Sequence, residues 1–239
     1  MSGHSKWSTI KRKKGAADAK RGVIFTRLSK DITLSAKQGG GNIDMNPSLR
    51  LAIKKAKSFN MPSANIDRAI KKGTGELPGI RYEDFEYEGY GPESVAILIE
   101  VMTDNKNRTL PEIRSIMTKN GGNLGEAGCV NWMFERKGIF TINTNDVEEN
   151  RLMEILENID IDDIVFDENF YEIIIKPDDF EKINKLLNDE NINFDGEISL
   201  VPQNMIQLSN QNADKVIKLL ELLDEHDDVQ KVHSNFEVV

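Results

Sequence analysis

The side chains best suited to acid–base, metal or nucleophilic chemistry are few and scattered. There are three histidines, His4, His226 and His233, and one cysteine, Cys129. No Cys/His cluster has metal-ligand spacing. Cys129 as a nucleophile would need a basic partner, yet its charged neighbours are Glu126 and Glu135, so it reads as a small apolar packing residue. The acidic runs at 160–163 and 224–228 lack the spacing, glycine and terminal glutamate of a calcium loop and read as solvated turns and helix ends. No catalytic residue, metal or cofactor is expected, and no small-molecule substrate is evident.

Two segments imitate ligand loops. "GGNLGEAG" at 121–128 has the glycines of a dinucleotide fingerprint, but it follows a predicted helix and precedes a predicted strand, the reverse of what that fingerprint requires. It reads as a helix stop, or as a loop approaching a ligand closely. "TDNKNRT" at 103–109 follows a predicted strand and opens a helix, where free backbone N–H groups favour anions. Lys106 and Arg108 there are candidate phosphate contacts; the alternative is a capped helix bearing two exposed cations.

The strongest chemical signal is cationic. Lys6, Lys11, Arg12, Lys13, Lys14, Lys20 and Arg21 form a basic arm interrupted by one acid, Asp18, and His4 and Trp7 within it are candidates for stacking on exposed bases. Arg27, Arg50, Lys54, Lys57, Arg68, Lys71 and Lys72 extend the series. Residues 1–72 hold 17 Lys and Arg against 4 Asp and no Glu, a net +13; the remainder holds 14 basic and 36 acidic residues, a net −22. Such asymmetry suggests a polyanion-binding head on an acidic body. A head that pairs with its own body is the competing account.

These cations need helices to position them. Residues 21–37 carry Phe25, Leu28, Ile32 and Ala36 on one stripe, with Lys20, Arg27 and Lys37 roughly opposite and Lys30 beside them. Gly39–Gly41 end that helix. Asn46-Pro47 is an N-cap followed by proline at the first helical position; the helix it opens buries Leu49, Ala52, Ile53 and Ala56 and lines Arg50, Lys54 and Lys57 along an outward face. A third helix runs from Pro62 to Gly73, and its Ser63, Asn65 and Arg68 offer thin grounds for a base-reading helix.

Past the linker "GTGELPGI" the pattern alternates strands and helices. Two strands joined by a Gly-Pro turn (85–101) precede a helix (104–120) and a strand (129–135). From 138 the order is βαββαβ, the ferredoxin-like unit, followed by a strand (205–208), a helix (214–223) and a strand (229–236) that complete a second such unit with residues 95–135. The expected fold is therefore α+β with three domains: a basic helical domain (1–75), a discontinuous ferredoxin-like domain (82–136 plus 204–239) and a second ferredoxin-like domain inserted into it (137–203).

Hydrophobic content of 38% and charged content of 30% suit a globular protein. A single cysteine excludes an intrachain disulfide and fits a reducing, cytoplasmic setting. No run approaches the roughly 20 apolar residues of a membrane helix, and neither a secretory signal nor a transit peptide is expected at the N-terminus.

Several segments together resemble the YebC family: "GHSKW" (3–7), "DAKRG" and "IFT" (18–26), "GGG" (39–41), "NP" (46–47), "NMP" (60–62), "RAIKKG" (68–73), "YEGYGP" (87–92), "TDNKNRT" and "GGNLG" (121–125). Lys106 stands where the family usually has arginine, and Cys129-Val130 where it has serine-valine. The resemblance implies three domains and no catalytic activity. Members are commonly labelled probable transcriptional regulators that bind DNA; others resemble translation factors acting on ribosomes stalled at proline-rich stretches, and a mitochondrial relative is a translational activator of cytochrome oxidase.

The expectation is a non-enzymatic, cytoplasmic, nucleic-acid-binding regulator of gene expression whose partner is DNA, or rRNA or tRNA on the ribosome, with no membrane role. A carboxylate–metal nuclease and a protein-interaction scaffold are the alternatives from other classes.

Overall fold

Asn46 shows how local sequence places the first helices. In the computed structural model of the chain, which describes residues 21–77 and 82–239, its side-chain oxygen accepts the Leu49 N–H at 3.0 Å and caps α2 (Pro47–Ser58). The same side chain donates to the carbonyls of Ser35 and Gly40, both at 2.8 Å, and so closes the end of α1 (Arg21–Gly39). α3 (Ser63–Gly73) follows. Leu28, Ile32 and Ala36 of α1, Leu49, Ile53 and Ala56 of α2, and Ile66 and Ala69 of α3 form one small core with Met61, as their helical spacing predicts. Phe25 and Ala52 are only partly buried against it. α1 and α3 cross so closely that a Cβ at Gly73 would collide with the Thr33 carbonyl oxygen, which is why that position is glycine. A core this small gives a helical unit little stability by itself.

The rest of the chain is α+β. β1 (Glu83–Tyr90) and β2 (Ala96–Thr103) form an antiparallel hairpin, with Glu83 opposite Thr103 and Tyr90 opposite Ala96. β2 is buried on both faces through Ala96, Ile97, Leu98, Ile99 and Val101, which explains why "AILIEV" is an apolar run and not an alternation. α4 (Lys106–Lys119) leads to the short β3 (Asn123–Leu124) on the outer edge of β1. The chain then builds a separate antiparallel sheet from β4 (Phe134–Asn143), β5 (Ile161–Phe166), β6 (Phe170–Ile175) and β7 (Phe194–Pro202), in the order β5-β6-β4-β7. α5 (Glu149–Leu156) and α6 (Phe180–Asp189) supply Leu152, Leu156, Phe180, Ile183 and Leu187 to its core, against Phe140, Ile142 and Ile173.

The chain returns through β8 (Ile206–Leu208), α7 (Asn210–Asp224) and β9 (Val229–Ser234), and ends on β10 (Phe236–Val238). β9 pairs with β2, so the first sheet reads β3-β1-β2-β9. α4 and α7 cover one face of it with Ile113, Met117, Val216, Leu219, Leu220 and Leu223.

Three expectations need correction. Residues 129–135 are not a strand of the first sheet. Asn131–Met133 is a 3-10 turn, and the strand that begins at Phe134 belongs to the second sheet. The cause is Glu88, whose buried carboxylate takes the N–H groups of Gly128, Val130 and Asn131, at 2.6, 2.7 and 2.7 Å, that a ladder would need. Next, residues 206–208 do not enter the first sheet. β1 occupies the place between β2 and β3, and β8 pairs in parallel with β10. Finally, the expected strand 229–236 breaks at Asn235. This residue is buried; its side-chain oxygen accepts the Ala96 N–H at 2.8 Å, and its carbonyl accepts the Ile206 N–H at 2.7 Å.

Candidate nucleic-acid interface

The cations of the helical head fall into two groups, one turned to the acidic body and one to solvent. Lys30 belongs to the first. Its ammonium is buried, and its three N–H donors go to Asp228 Oδ1 at 2.9 Å, the Asp227 carbonyl at 2.9 Å and the Met102 carbonyl at 3.0 Å. The other Asp228 oxygen accepts from Arg108 Nη2 at 2.7 Å, Thr109 Oγ1 at 2.7 Å and Thr103 Oγ1 at 3.1 Å. Burial by itself would raise the Asp228 pKa, but the hydrogen bonds from Lys30, Arg108 and Thr109 outweigh it and hold the carboxyl well below the usual carboxylate range. One carboxylate thus joins α1, the end of β2, the start of α4 and the loop before β9.

Arg27 faces the same way, with Nη1 3.3 Å from Asp224 Oδ1. On α2, Lys54 Nζ lies 5.0 Å from the centre of the Phe194 ring and Lys55 lies 3.8 Å from Glu197, so this helix leans on β7. Lys231 also reaches Glu197, at 3.0 Å. In the same junction, burial raises the pKa of Asp31 against the opposing fields of Lys55 and Lys231. For these residues the self-pairing account holds.

The second group is open. Lys57 at the end of α2 and Arg68, Lys71 and Lys72 on α3 are exposed, and none of their side chains has a hydrogen-bond or ion-pair partner among the described residues. Three of them sit in the last turns of their helices, where the helix dipole favours cations. Arg50 is exposed and braces its own loop, donating to the carbonyls of Ile43 at 3.2 Å and Asp44 at 3.4 Å. The outward line Arg50–Lys54–Lys57 is therefore divided among a loop brace, an aromatic contact and one free ammonium. Of the suggested base-reading residues, Ser63 and Arg68 are exposed and Asn65 is partly buried. Arg21 lies in the first turn of α1; His4, Lys6, Trp7, Lys11, Arg12, Lys13, Lys14 and Lys20 lie outside the described residues.

"TDNKNRT" is a capped helix start whose cations are turned to their own chain. Asn105 Oδ1 accepts the Arg108 N–H at 3.2 Å. Lys106 Nζ lies 4.4 Å from the centre of the Phe85 ring, and Arg108 spans Asp104 and Asp228. The groove beside it, about 950 Å³, is lined by Lys30, Tyr82, Asp104, Glu112, His226 and Asp227 among others. His226 Nδ1 accepts the Asp228 N–H at 3.1 Å, leaving Nε2 to donate to Glu112 at 3.0 Å. Among the described residues no group of three His, Cys, Asp or Glu side chains is placed to hold a metal ion, and no helix is long and apolar enough to cross a membrane.

"GGNLGEAG" is a structural loop, held by the Gly125 N–H on the Glu88 carbonyl at 2.8 Å and by the Glu88 carboxylate. Burial, then the charge of Glu88, raises the Cys129 pKa, which disfavours the thiolate. Sequence reasoning missed Trp132, which is 66% exposed with Nε1 on the Cys129 carbonyl at 3.2 Å; assigning it to a strand hid it. It also missed the Lys30–Asp228 pair, for which local spacing carries no signal.

Known proteins resemble the chain along its whole length. A family model described as the TACO1/YebC protein N-terminal domain matches residues 5–76, and one described as the TACO1/YebC second and third domain matches residues 82–236. A "probable transcriptional regulatory protein" of Halothermothrix orenii is 51% identical over 242 residues, covering 100% of this chain and 96% of the relative. One of Geobacter sulfurreducens is 51% identical over 239 residues with the same coverage. The crystal structure of a conserved hypothetical protein from Aquifex aeolicus superposes with a TM-score of 0.86 at 42% identity, covering 93% of this chain and 92% of that one.

Proposed function

The chain belongs to the TACO1/YebC family, and from that premise we propose that it is a non-enzymatic, cytoplasmic regulator of gene expression that grips the phosphate backbone of a nucleic acid with its helical head. The observation that carries this reading is the division of the head's cations. Those facing the body are matched to acids, carbonyls or rings, whereas Lys57, Arg68, Lys71 and Lys72 hold four positive charges in water. Each of these that neutralises a phosphate releases counterions, so binding is electrostatic and steeply salt-dependent. The basic arm adds further cations in sequence, and the −22 remainder repels the polyanion.

The relatives' name, regulatory protein, supports this class over an enzyme. We read the chain as three units, 1–75, 82–136 with 204–239, and 137–203. The strand order β5-β6-β4-β7 supports a ferredoxin-like assignment for the last, and the first sheet is a variant in which β1 replaces the third strand of that pattern. The backbone held is that of DNA, or of rRNA or tRNA on the ribosome, and one comparison separates them. Lysate is sedimented through sucrose at low and moderate salt, and the pure protein is titrated with random duplex DNA over the same range. Co-sedimentation with ribosomes that survives salt, while duplex binding vanishes, assigns the protein to translation. Duplex binding that outlasts ribosome association assigns it to transcription. Binding to neither overturns the proposal.

A further inference from the structure

The loop joining α1 to α2 is built rigidly yet displays apolar side chains. Asn46 ties it to Ser35 and Gly40. The Asn42 side chain accepts the Asp44 N–H at 3.0 Å, the Met45 N–H reaches the Asn42 carbonyl at 3.2 Å, and Arg50 holds the carbonyls of Ile43 and Asp44. What this frame presents to water is Met45, 78% exposed, and Ile43, 42% exposed. Met45 is the most exposed of the large apolar side chains among the described residues.

The loop also lies against an element that carries open cations. A Cβ at Gly41 would lie 2.9 Å from Thr74 Cγ2 and 3.3 Å from Ile70 Cγ2, so the loop packs on the C-terminal end of α3, where Lys71 and Lys72 are open. Arg50 flanks it from α2. We infer that Ile43 and Met45 form an apolar tip that packs on nucleobases while the neighbouring cations hold the phosphates of the same strand. This rests on the nucleic-acid reading above. A nucleic acid is the polymer that alternates anionic phosphates with apolar base faces at the spacing of one nucleotide. Methionine and isoleucine are among the side chains that wedge against or between bases, and the thioether is polarisable and adapts to a ring face. The bracing reduces the ordering cost on binding. Bases already unpaired offer their faces without an unstacking cost, so the strand preferred is single-stranded or looped.

The test uses the full chain and a single-stranded RNA oligonucleotide carrying 2-aminopurine, whose fluorescence reports stacking. Wild type is compared with Ile43→Ser/Met45→Ser and with Lys71→Ala across a salt series. The double variant is expected to bind at least about fivefold more weakly, the lower end of what stacking one base on an aromatic side chain contributes. It should lose the aminopurine response and keep the slope of log affinity against log salt, because no charge is removed. Lys71→Ala should keep the aminopurine response and reduce that slope by about 0.7. Binding by the double variant within twofold of wild type, or a wild-type complex with no aminopurine response, overturns the inference and leaves the proposed function standing. A wild-type chain that binds no nucleic acid at low salt overturns both.

Discussion

Lys30 and Asp228 stand 198 residues apart in sequence and 2.9 Å apart in space, with both side chains almost fully buried. The pair fixes the helical head against the end of the first sheet, and because α1 carries α2 and α3 on its other side, it also fixes which head cations face water. Lys30→Met removes one partner and leaves Asp228 buried with Arg108 and two threonines. The expected loss is about 3–5 kcal/mol, the cost of uncovering half of a buried pair. Urea unfolding followed by circular dichroism measures it. The same variant should be digested by protease faster than wild type.

Asp228 sets a pH dependence whose sign follows from its depressed native pKa. The unfolded chain binds the proton more tightly than the native one, so the carboxylate's contribution is complete above about pH 4, the unfolded value. It is lost as pH falls from there toward the native pKa. Asp228→Asn should therefore be clearly less stable than wild type at pH 7, with the gap narrowing toward pH 2. Asp31 runs the other way. Burial raises its pKa, its ionisation opposes folding above that range, and Asp31→Asn should unfold no earlier than wild type at pH 7. Chemical denaturation at several pH values reads both.

Glu88 is the acceptor that holds the segment 124–133. Burial favours its neutral form, yet the N–H groups of Gly128, Val130 and Asn131 outweigh that and lower its pKa. Glu88→Ala leaves three donors without their partner and should cost roughly 2–4 kcal/mol. Glu88→Gln retains one acceptor oxygen and should cost less. Hydrogen exchange localises the effect: the amides of Gly128, Val130 and Asn131 lose protection in Glu88→Ala, only those left without the remaining acceptor oxygen lose it in Glu88→Gln, and those of β6 keep it in both.

Local chemistry made the helices legible. The Asn46-Pro47 start, the glycines that stop α1 and the apolar stripe Leu28–Ile32–Ala36 each depend on residues within one or two turns, and all stand where their spacing puts them. The βαββαβ order from residue 138 was legible for the same reason, although its first strand already starts at Phe134. What stayed hidden depends on contacts across the chain. Cys129–Glu135 has the composition of a strand, but the carboxylate of Glu88, about 40 residues earlier, takes its ladder donors. β1 holds a place in the first sheet that the repeat pattern assigned to 205–208. The cations of α1 and α2 looked alike in sequence, since the distinction between Lys30, Lys54 and Lys57 lies in Asp228, Phe194 and open water.

That distinction gives the sharpest test of the interface. Lys57, Arg68, Lys71 and Lys72 are exposed, and reversing all four to glutamate disturbs none of the side-chain hydrogen bonds or ion pairs described above. The quadruple variant should stay folded, losing only the helix-dipole contribution of about 0.3–1 kcal/mol for each of the three last-turn positions, and bind nucleic acid far more weakly than wild type at low salt. Reversing Arg50, Lys54 and Lys57 should behave differently. Arg50 braces the 43–44 backbone, and Lys54 covers Phe194, where a carboxylate would face the ring's negative π surface. That triple variant should lose stability as well as binding, and only the Lys57 part of the binding loss is direct. Lys57→Ala should accordingly lower the salt slope by about 0.7–0.9, while Lys54→Ala leaves the slope unchanged and shifts only the unfolding midpoint. If Lys54→Ala instead lowers the slope as Lys57→Ala does, the α2 face is open to phosphate in solution and the division of the cations proposed here is wrong.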